Sequence, residues 1–432
     1  MTITVRSESF TVTDTATQDL TIPGLGAAGD MVAAVVYAGS YSGSSDYASE
    51  TRVSLGFVDT VGRQQVSSFS LGDNLSTQDG HRAHFTGQLV NTIDAVGAST
   101  NLQGAFNQWI TDGIRVNWDV QTASPTKVTV KYFCDDAETK VLKARVGKEL
   151  FGETIGVTRS VSIPGVNPTL VYTLSSCQST IEQIDTFVSF TMGYAIKTLP
   201  SEVGNHTIND CYTFADDHGN AAASLASRLS VADIGQDWCI NNIYKASSFG
   251  TQRISRMGTG EMWMEQIFSA GDNHIGYLAL EGLNANIIKI NSPAAAGTWN
   301  VSGAGFIPQH AMGICSTMSQ RTANSETDEA AAIGFYFCDA DSQYTHGYTA
   351  NDGSATTDTS STWTDGNLFL GEVDQLSTLF SGSFDNFDSD GLNLTFAETS
   401  TQRKWSFLVI EEDAATPPAA STVSLRRRIV VT

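Results

Sequence analysis

The chain has 432 residues, with 24 lysine and arginine residues against 46 aspartate and glutamate residues and a formal net charge of −22. This length exceeds what one ordinary hydrophobic core holds, so we expect about three domains. The acidic charge repels phosphate backbones and anionic lipid, and no apolar run reaches about 18 residues, so we expect neither nucleic-acid binding nor membrane insertion.

The first residues already predict a strand. Residues 1–6 read MTITVR, a mixture of β-branched and polar side chains that favours extended backbone. A secretory signal would instead begin with a basic flank and continue into an apolar run. We therefore expect a protein that is made in a cytoplasm and has no signal peptide.

Two glycine markers recur along the chain at one spacing. The first lies in a turn that enters an apolar strand, and its copies are Gly24, Gly165 and Gly303. The second lies inside an apolar strand, and its copies are Gly56, Gly193 and Gly334. Both recur about every 140 residues, and two independent markers with one period indicate an internal repeat.

Each repeat closes with a pair of strands. The first closes with residues 112–118 (DGIRVNW) and 128–133, and the third with residues 390–396 (DGLNLTF) and 405–410. The middle copy lacks the Asp-Gly turn. Alternating apolar and polar residues in these segments predict antiparallel sheets with one buried face and one wet face.

The sequence therefore predicts an all-β protein of three tandem antiparallel β-sandwich-like modules from one repeat family. We place the first module at residues 1–143, the second and more diverged module at 144–284, and the third at 285–412. Residues 413–432 are a linker and a C-terminal docking peptide. Because the boundaries between modules are short, we expect the modules to pack end to end.

A helical signal is confined to residues 220–232 (NAAASLASRLSVA), which predict one short helix in a loop. The chain has six cysteines and no Cys-x-x-Cys pair: Cys134, Cys177, Cys211, Cys239, Cys315 and Cys338. We expect buried, reduced thiols. One disulfide among the three that crowd the middle module remains an alternative.

The end of the chain differs from the rest. Residues 414–421 (AATPPAAS) have the composition of an extended linker and lead to a peptide that is first basic and then β-prone. It is either a frayed tail or edge strand, or a docking peptide that adds a strand to a partner with an acidic surface. The docking residues are then Arg426, Arg427, Arg428, Ile429, Val430 and Val431.

The repeated pattern resembles a module common in the virion structural proteins of tailed bacteriophages. Residues 301–308 (VSGAGFIP), 112–118 and 390–396 carry the resemblance, and the middle copy departs most from the pattern. The resemblance implies a virion protein, made in the host cytoplasm and exposed as a capsid-decoration or tail-fibre component. It implies other capsid or tail proteins as partners, a homo-oligomer within the particle, and contact with the host surface as a further role.

The sequence contains no nucleophile elbow, P-loop or zincin helix, so we predict no catalytic residues, no cofactor and no enzyme activity. His81 and His84 could be metal ligands, but no acidic residue follows at ligand spacing, which favours a polar loop. The best ion candidate is calcium at Asn386, Asp388 and Asp390, where hard oxygens recur at alternate positions. The twelfth position of that loop is not acidic, so a hydrated turn is the preferred interpretation.

Carbohydrate binding, as in an adhesion or receptor-binding protein, is the alternative function. β-Sandwich modules bind sugars through exposed aromatic side chains beside polar ones. Trp363 lies in the polar segment 360–366 (SSTWTDG), so it is the tryptophan that we expect to form an exposed glycan platform. A polysaccharide-degrading enzyme would need a convergent carboxylate pair, which sequence alone does not reveal.

Overall fold

A computed structural model describes residues 3–12, 16–40, 47–48, 51–71, 80–94, 99–121, 126–152, 154–186, 188–198, 207–216, 227–231, 238–244, 247–269, 271–316, 331–351, 358–366, 369–374, 377–397 and 404–412. Over these residues the protein is all-β and consists of several antiparallel sheets. The helical content of this part of the chain is a 3-10 turn at Ala28–Asp30. No helix within it is long and apolar enough to cross a membrane.

Ten of the first eleven strands, all except β4, build a larger sheet and a four-stranded sheet. Their bounds are β1 (Ile3–Thr11), β2 (Thr17–Thr21), β3 (Met31–Ser40), β4 (Tyr47–Ala48), β5 (Thr51–Asp59), β6 (Gln64–Leu71), β7 (His81–Thr86), β8 (Val90–Ile93), β9 (Thr100–Ile110), β10 (Gly113–Gln121) and β11 (Thr126–Asp135). The larger sheet runs β1-β11-β3-β5-β6-β7, and the smaller sheet runs β2-β10-β9-β8.

Ten of the next eleven strands, all except β15, form a second set of two sheets. Their bounds are β12 (Lys143–Phe151), β13 (Thr158–Ser162), β14 (Leu170–Ser175), β15 (Ile184–Thr186), β16 (Val188–Lys197), β17 (Thr207–Asp216), β18 (Ser227–Val231), β19 (Ile240–Tyr244), β20 (Ser247–Gly258), β21 (Glu261–Ser269) and β22 (Asn273–Glu281). The sheets run β12-β22-β14-β16-β17-β18 and β13-β21-β20-β19. The helix prediction for residues 220–232 is wrong where β18 lies, and residues 220–226 are outside the described part.

The last ten strands form the third set. Their bounds are β23 (Asn284–Asn291), β24 (Gly297–Ser302), β25 (His310–Ser316), β26 (Ala331–Asp339), β27 (Gln343–Asn351), β28 (Asp358–Thr364), β29 (Phe369–Asp374), β30 (Ser377–Phe387), β31 (Gly391–Phe396) and β32 (Lys404–Glu411). The sheets run β23-β32-β25-β26-β27-β28 and β24-β31-β30-β29.

Each four-stranded sheet packs against one larger sheet across an apolar cluster. In the first set, Val36 of β3 and Tyr132 of β11 belong to the same cluster as Leu102 of β9 and Val116 of β10. Equivalent clusters fill the second and third sets. Two sheets that bury their facing side chains in this way make a β-sandwich-like unit. We call the units the first, second and third sheet pair, in chain order.

A fourth apolar cluster, the central core, joins the larger sheets of all three sheet pairs. The ring of Tyr37 lies 4.8 Å from that of Phe335, and the ring of Phe57 lies 6.2 Å from that of Tyr172. Phe190 lies 6.1 Å from Phe335 and completes the contact between the second and third pairs. The expectation of end-to-end packing is therefore wrong, because the larger sheets face one another across one shared core.

Inner strands of the larger sheets are buried on both faces, whereas the edge strand β12 keeps exposed residues. Every residue of β5 and β14 is buried, since one face of each strand lies in its own sheet pair and the other lies in the central core. Strands of the four-stranded sheets, such as β13 and β31, keep exposed residues. The prediction of one buried and one wet face thus agrees with strands such as β13 and β31 and fails for the inner strands β5 and β14.

Two short strands cross from one sheet pair to another. β15 pairs with β7, the edge strand of the first pair, where Asp185 lies opposite Arg82 and the two side chains form an ion pair of 3.1 Å. β4 pairs with β28, the edge strand of the third pair, where Ala48 lies opposite Ser361. Both additions cover a sheet edge that would otherwise expose unpaired backbone groups.

Candidate functional site

The richest grouping of buried polar side chains lies where the sheet pairs meet. At the boundary between the first and second pairs, Asp59 at the end of β5 is fully buried. Its Oδ1 accepts hydrogen bonds from the backbone N–H groups of Val61 and Arg63, both at 3.1 Å. Its Oδ2 accepts one from the backbone N–H of Val146 in β12 at 2.9 Å. One carboxylate therefore orders its own turn and contacts the next sheet pair.

Asp339 has the same arrangement at the boundary between the third and first pairs. Its Oδ1 accepts hydrogen bonds from the backbone N–H groups of Asp341, at 3.0 Å, and Ser342, at 2.8 Å. Its Oδ2 accepts one from the backbone N–H of Ser7 in β1 at 3.1 Å. Because buried carboxylates are stable only when donors surround them, Asp59 and Asp339 fix these two boundaries in position.

A second carboxylate reinforces the boundary between the third and first pairs. Glu412, which follows β32, accepts hydrogen bonds through Oε1 from the backbone N–H of Val5 at 3.0 Å and from the Arg6 guanidinium at 3.3 Å. The same oxygen lies 2.8 Å from Nε2 of His310. These three partners hold the pKa of the Glu412 carboxyl below its usual range against the opposing effect of burial.

Lys131 lies at this boundary with its whole side chain buried. Burial lowers the pKa of its ammonium group to about 8, although Cys338, Asp339 and Glu412 act in the opposite direction. Within the described residues, its Nζ has no hydrogen-bond partner. A buried amine with such a pKa is a candidate nucleophile or base. No acceptor among the described residues lies within hydrogen-bonding distance, so the geometry supports a role in packing.

The boundary between the second and third pairs uses different groups. Nζ of Lys289 in β23 donates to the backbone carbonyl of Asn209 and lies 3.9 Å from Oδ1 of Asp210. The Tyr194 hydroxyl contacts the hydroxyl of Ser406 in β32. Here Lys289, on the first strand of the third pair, contacts the second pair. The other two boundaries instead use the aspartates Asp59 and Asp339.

The two histidines that the sequence offered as alternative metal ligands lie in a buried strand rather than in the expected polar loop. His84 lies in β7 rather than in a loop, and it is fully buried. Its Nδ1 lies 2.8 Å from Oγ of Ser67, and its Nε2 lies 3.0 Å from Oε1 of Gln65. His81 lies in the same strand and is also buried. The part of the chain that the structure describes holds no group of three His, Cys, Asp or Glu side chains placed to bind a metal ion.

The calcium candidates lie in the turn between β30 and β31 and at the end of β30. The Asp390 carboxylate accepts hydrogen bonds from the backbone N–H groups of Gly303 at 3.1 Å and Gly305 at 2.7 Å. Oδ1 of Asp388 accepts one from the backbone N–H of Asp390, and Asn386 binds a neighbouring asparagine side chain. These oxygens already have donors within the chain. The calcium hypothesis gains no support from this geometry.

Trp363 lies in β28 and is only 8% exposed. The Nζ atom of Lys127, on β11 of the first pair, lies 4.3 Å from the centre of its ring. The expected exposed glycan platform is therefore wrong at this residue. The polar segment around Trp363 is a strand beside the first sheet pair, a neighbour that the local sequence does not reveal.

Two sequence predictions remain, the docking peptide and the state of the cysteines. The docking residues Arg426, Arg427, Arg428, Ile429, Val430 and Val431 lie outside the described residues. Five cysteines are buried and form no disulfide: Cys134, Cys177, Cys211, Cys239 and Cys338. The alternative of a disulfide in the middle segment is thus wrong. The side chain of Cys315 is outside the described part.

An open cleft of about 360 Å³ lies on the third sheet pair. Asp341, Gln343, Tyr344, Phe384 and Asp385 line it, together with Asp365 at the end of the Trp363 strand. Oε1 of Gln343 accepts a hydrogen bond from the backbone N–H of Phe384 at 2.8 Å, which holds one wall in place. The cleft combines aromatic surface, an amide and carboxylates, groups that can contact a polyhydroxylated ligand.

Sequence reasoning missed the boundary residues Asp59, Asp339, Glu412 and Lys131. One signal was available: the second glycine marker is followed by Phe-x-Asp in the first copy (residues 57–59) and in the third copy (residues 337–339). In the middle copy the residue at the equivalent place in the strand pairing is Ile196, opposite Leu170. Nothing in the local sequence of Glu412 or Lys131 distinguishes them from surface residues.

Comparisons of this chain with models of protein families, with curated proteins and with solved structures find no match. Its function must therefore be argued from its own residues.

Proposed function

We propose that the chain is a bacteriophage virion structural protein, exposed on the particle as a capsid-decoration or tail-fibre component. It acts by protein–protein assembly with other capsid or tail proteins, and copies of it associate within the particle. The resemblance of residues 301–308, 112–118 and 390–396 to phage virion modules is the basis in sequence for this proposal. The observation that carries it in the structure is the shared central core with its boundary carboxylates.

The central core favours a scaffold role for physical reasons. Large aromatic side chains from three sheet pairs are buried in it, and such burial contributes about 25 cal/mol for each Å² of apolar surface removed from water. Asp59 and Asp339 add hydrogen bonds that are specific in direction. A body held in this way resists relative movement of its parts, which suits a particle component better than an enzyme with moving lids.

The finer architecture belongs to the same proposal: three tandem modules of one repeat family. Its support is the strand order. In each larger sheet the first strand of the set lies beside the last strand, the last lies beside the third, and the third is followed by three more strands in chain order, if the crossing strands β4 and β15 are left out. The four-stranded sheets also agree in order. β12 begins at Lys143 and β23 at Asn284, close to the proposed module limits of 143 and 284.

The proposed docking peptide gives the assembly role a direct test. Deleting residues 421–432, or replacing Arg426, Arg427 and Arg428 together with alanine, should prevent incorporation into particles while the far-UV circular dichroism of the body stays unchanged. The arginines would meet an acidic partner surface, and the apolar residues after them would add a strand. Normal incorporation of the deleted chain would contradict the docking role.

Glycan binding at the cleft of the third sheet pair is the second candidate function. The observation that favours it is the partly exposed ring of Phe384 beside Gln343 and three carboxylates. A glycan array should then detect binding by the intact protein that Phe384→Ala abolishes. Phe306→Ala is a matched control, because Phe306 is also partly buried against the third apolar cluster but does not line the cleft. Equal binding by both variants would contradict this site.

A further inference from the structure

The five histidine side chains that the structure describes all lie where two sheet pairs meet. His81 and His84 lie on β7 of the first pair, and His274 lies on β22 of the second. His310 on β25 and His346 on β27 belong to the third pair. Histidine is the side chain whose charge ordinarily changes between pH 5 and pH 8, so its placement decides how these boundaries respond to mild acid.

His84 is at the boundary between the first and second pairs. Its ring is fully buried and lies 6.4 Å from the ring of His274, nearly parallel to it. Ser67 and Gln65 of β6 occupy its two nitrogens. The charged groups that bear on it are His274 and Lys148, both of which oppose a positive charge. Burial and these neighbours lower the pKa of His84 to about 3.

His346 is at the boundary between the third and first pairs. Its Nε2 lies 2.8 Å from Oγ1 of Thr129 in β11, and its ring lies 4.6 Å from that of Tyr37 in β3. The charged group that bears on it is Lys127, which also opposes a positive charge. Burial, followed by this lysine, lowers the pKa of His346 to about 3.

His310 is at the same boundary, in a more mixed environment. Its Nε2 faces Glu412, whose carboxylate also contacts Arg6 of β1. Lys131 of β11 opposes a positive charge on the ring, while Glu412 and Asp339 favour it. Burial is the largest effect, and the pKa of His310 is lowered to about 4.

The boundary between the second and third pairs has no such group among the described residues. Its polar contacts include those of Lys289 with Asn209 and Asp210, and that of Tyr194 with Ser406. None of these five residues is a histidine, so the described histidines couple mild acid to the two boundaries of the first sheet pair.

We propose that mild acid separates the first sheet pair from the other two, which stay together, and that it exposes the central core. The mechanism is proton linkage. A histidine in the opened state takes up a proton near its ordinary pKa of about 6.5, whereas His84, His310 and His346 in the closed state do not. The opened state therefore binds more protons between about pH 4 and pH 6.5, so opening becomes more favourable as the pH falls through that window.

The size of the effect follows from the same quantities. At pH 5 each of these histidines should favour the opened state by about 30-fold, and the three together by roughly 10⁴-fold. For each proton taken up on opening, the equilibrium constant between the closed and opened states should rise about tenfold per unit fall in pH. Its logarithm should therefore change with a slope of about three between pH 6 and pH 5.

The experiment uses the full chain at a series of pH values from 7.5 to 4.5. Opening is measured by small-angle X-ray scattering and by binding of a dye that fluoresces on apolar surfaces, and the sheets are followed by far-UV circular dichroism. We expect the radius and the dye signal to rise together while the circular dichroism is retained. Hydrogen exchange, corrected for pH, should increase in β1, β5 and β6 and stay slow in β16 and β23.

A variant with His84→Gln, His310→Gln and His346→Gln should lose most of this response, because glutamine keeps a polar side chain that takes up no proton. His274, whose pKa is also lowered by burial, keeps its own smaller contribution. Asp19→Asn, at an exposed site of the first pair, is the control and should open like the parent. The slope measured on the parent protein tests the proposal even if the triple variant does not fold. A slope near zero, opening of the triple variant at the parent's pH, or loss of circular dichroism together with opening would each overturn the proposal.

Discussion

Replacing Lys131 with methionine should stabilise the protein at neutral pH. The side chain is fully buried and its Nζ lacks a hydrogen-bond partner among the described residues, so the folded state carries an unfavourable charge. Burial lowers the pKa of Lys131 to about 8 from an unfolded value of about 10.5. At pH 7 the difference corresponds to about 3 kcal/mol, which methionine, similar in volume and uncharged, would recover in part.

The pH dependence gives this prediction its sign. Because the folded pKa is the lower one, the unfolded chain binds more protons between about pH 8 and pH 10.5, and the parent protein gains stability as the pH rises through that window. The advantage of Lys131→Met should therefore shrink to about 1 kcal/mol at pH 10.

Urea unfolding at pH 7 and pH 10, followed by circular dichroism, measures both values. Lys143→Met is the matched control, because Lys143 is exposed beside Glu281 and should change stability by less than about 1 kcal/mol. A Lys131→Met protein that is less stable than the parent at both pH values would refute the reasoning. It would mean that Asp339 and Glu412 depend on the ammonium charge.

Three further predictions concern packing and thiols. Asp59→Ala should lower the free energy of unfolding in urea by about 3 kcal/mol, because it leaves buried N–H groups without an acceptor. The control Asp19→Ala, at an exposed site, should lower it by less than about 1 kcal/mol. Equal losses of stability would contradict the boundary role of Asp59. Gly56→Ala should lower the free energy of unfolding by more than about 3 kcal/mol or prevent folding, because a Cβ there would lie 1.9 Å from the carbonyl oxygen of Leu89. Gly29→Ala, with open space around it, is the control. Equal stability of the two variants would contradict the close approach at Gly56. In the folded protein the five described thiols should resist a thiol reagent, since all are buried, and all six should react in denaturant; fewer than six would indicate a disulfide.

The repeat markers were visible in the sequence because steric requirements produce them. Gly24, Gly165 and Gly303 all have positive φ, at 83°, 81° and 113°, a conformation that other residues rarely adopt. Gly56 and Gly193 lie so close to a neighbouring carbonyl oxygen that no side chain fits. Such requirements leave glycine at these positions, so a single sequence reveals them.

The central core could not be predicted in the same way. A strand such as β5, read alone, shows apolar and small polar residues, and it does not reveal that its second face is covered by another sheet pair. The contact of Asp59 with Val146 joins residues far apart in the chain, as does that of Asp339 with Ser7. These contacts depend on how the sheet pairs meet, and the meeting surfaces have no period that a sequence pattern shows.

The candidate binding residues failed for a related reason. Trp363 was expected to be exposed because its neighbours in sequence are polar, but Lys127 from another sheet pair lies over its ring. His84 was expected in a polar loop, but it lies in a buried strand. In both cases the segment around the residue is polar, as its sequence shows, but the neighbours that bury the residue come from elsewhere in the chain.

The central claim, a structural role in a bacteriophage particle, is tested most directly by locating the protein in purified particles. Particles would be banded by density, stripped of loosely bound protein with salt, and analysed by quantitative mass spectrometry and immunogold microscopy with an antibody against the folded body. We predict a fixed, stoichiometric copy number and labelling of intact particles on the head or tail surface. Absence of the protein from washed particles, with its full amount in the soluble fraction of the infected cell, would contradict the claim.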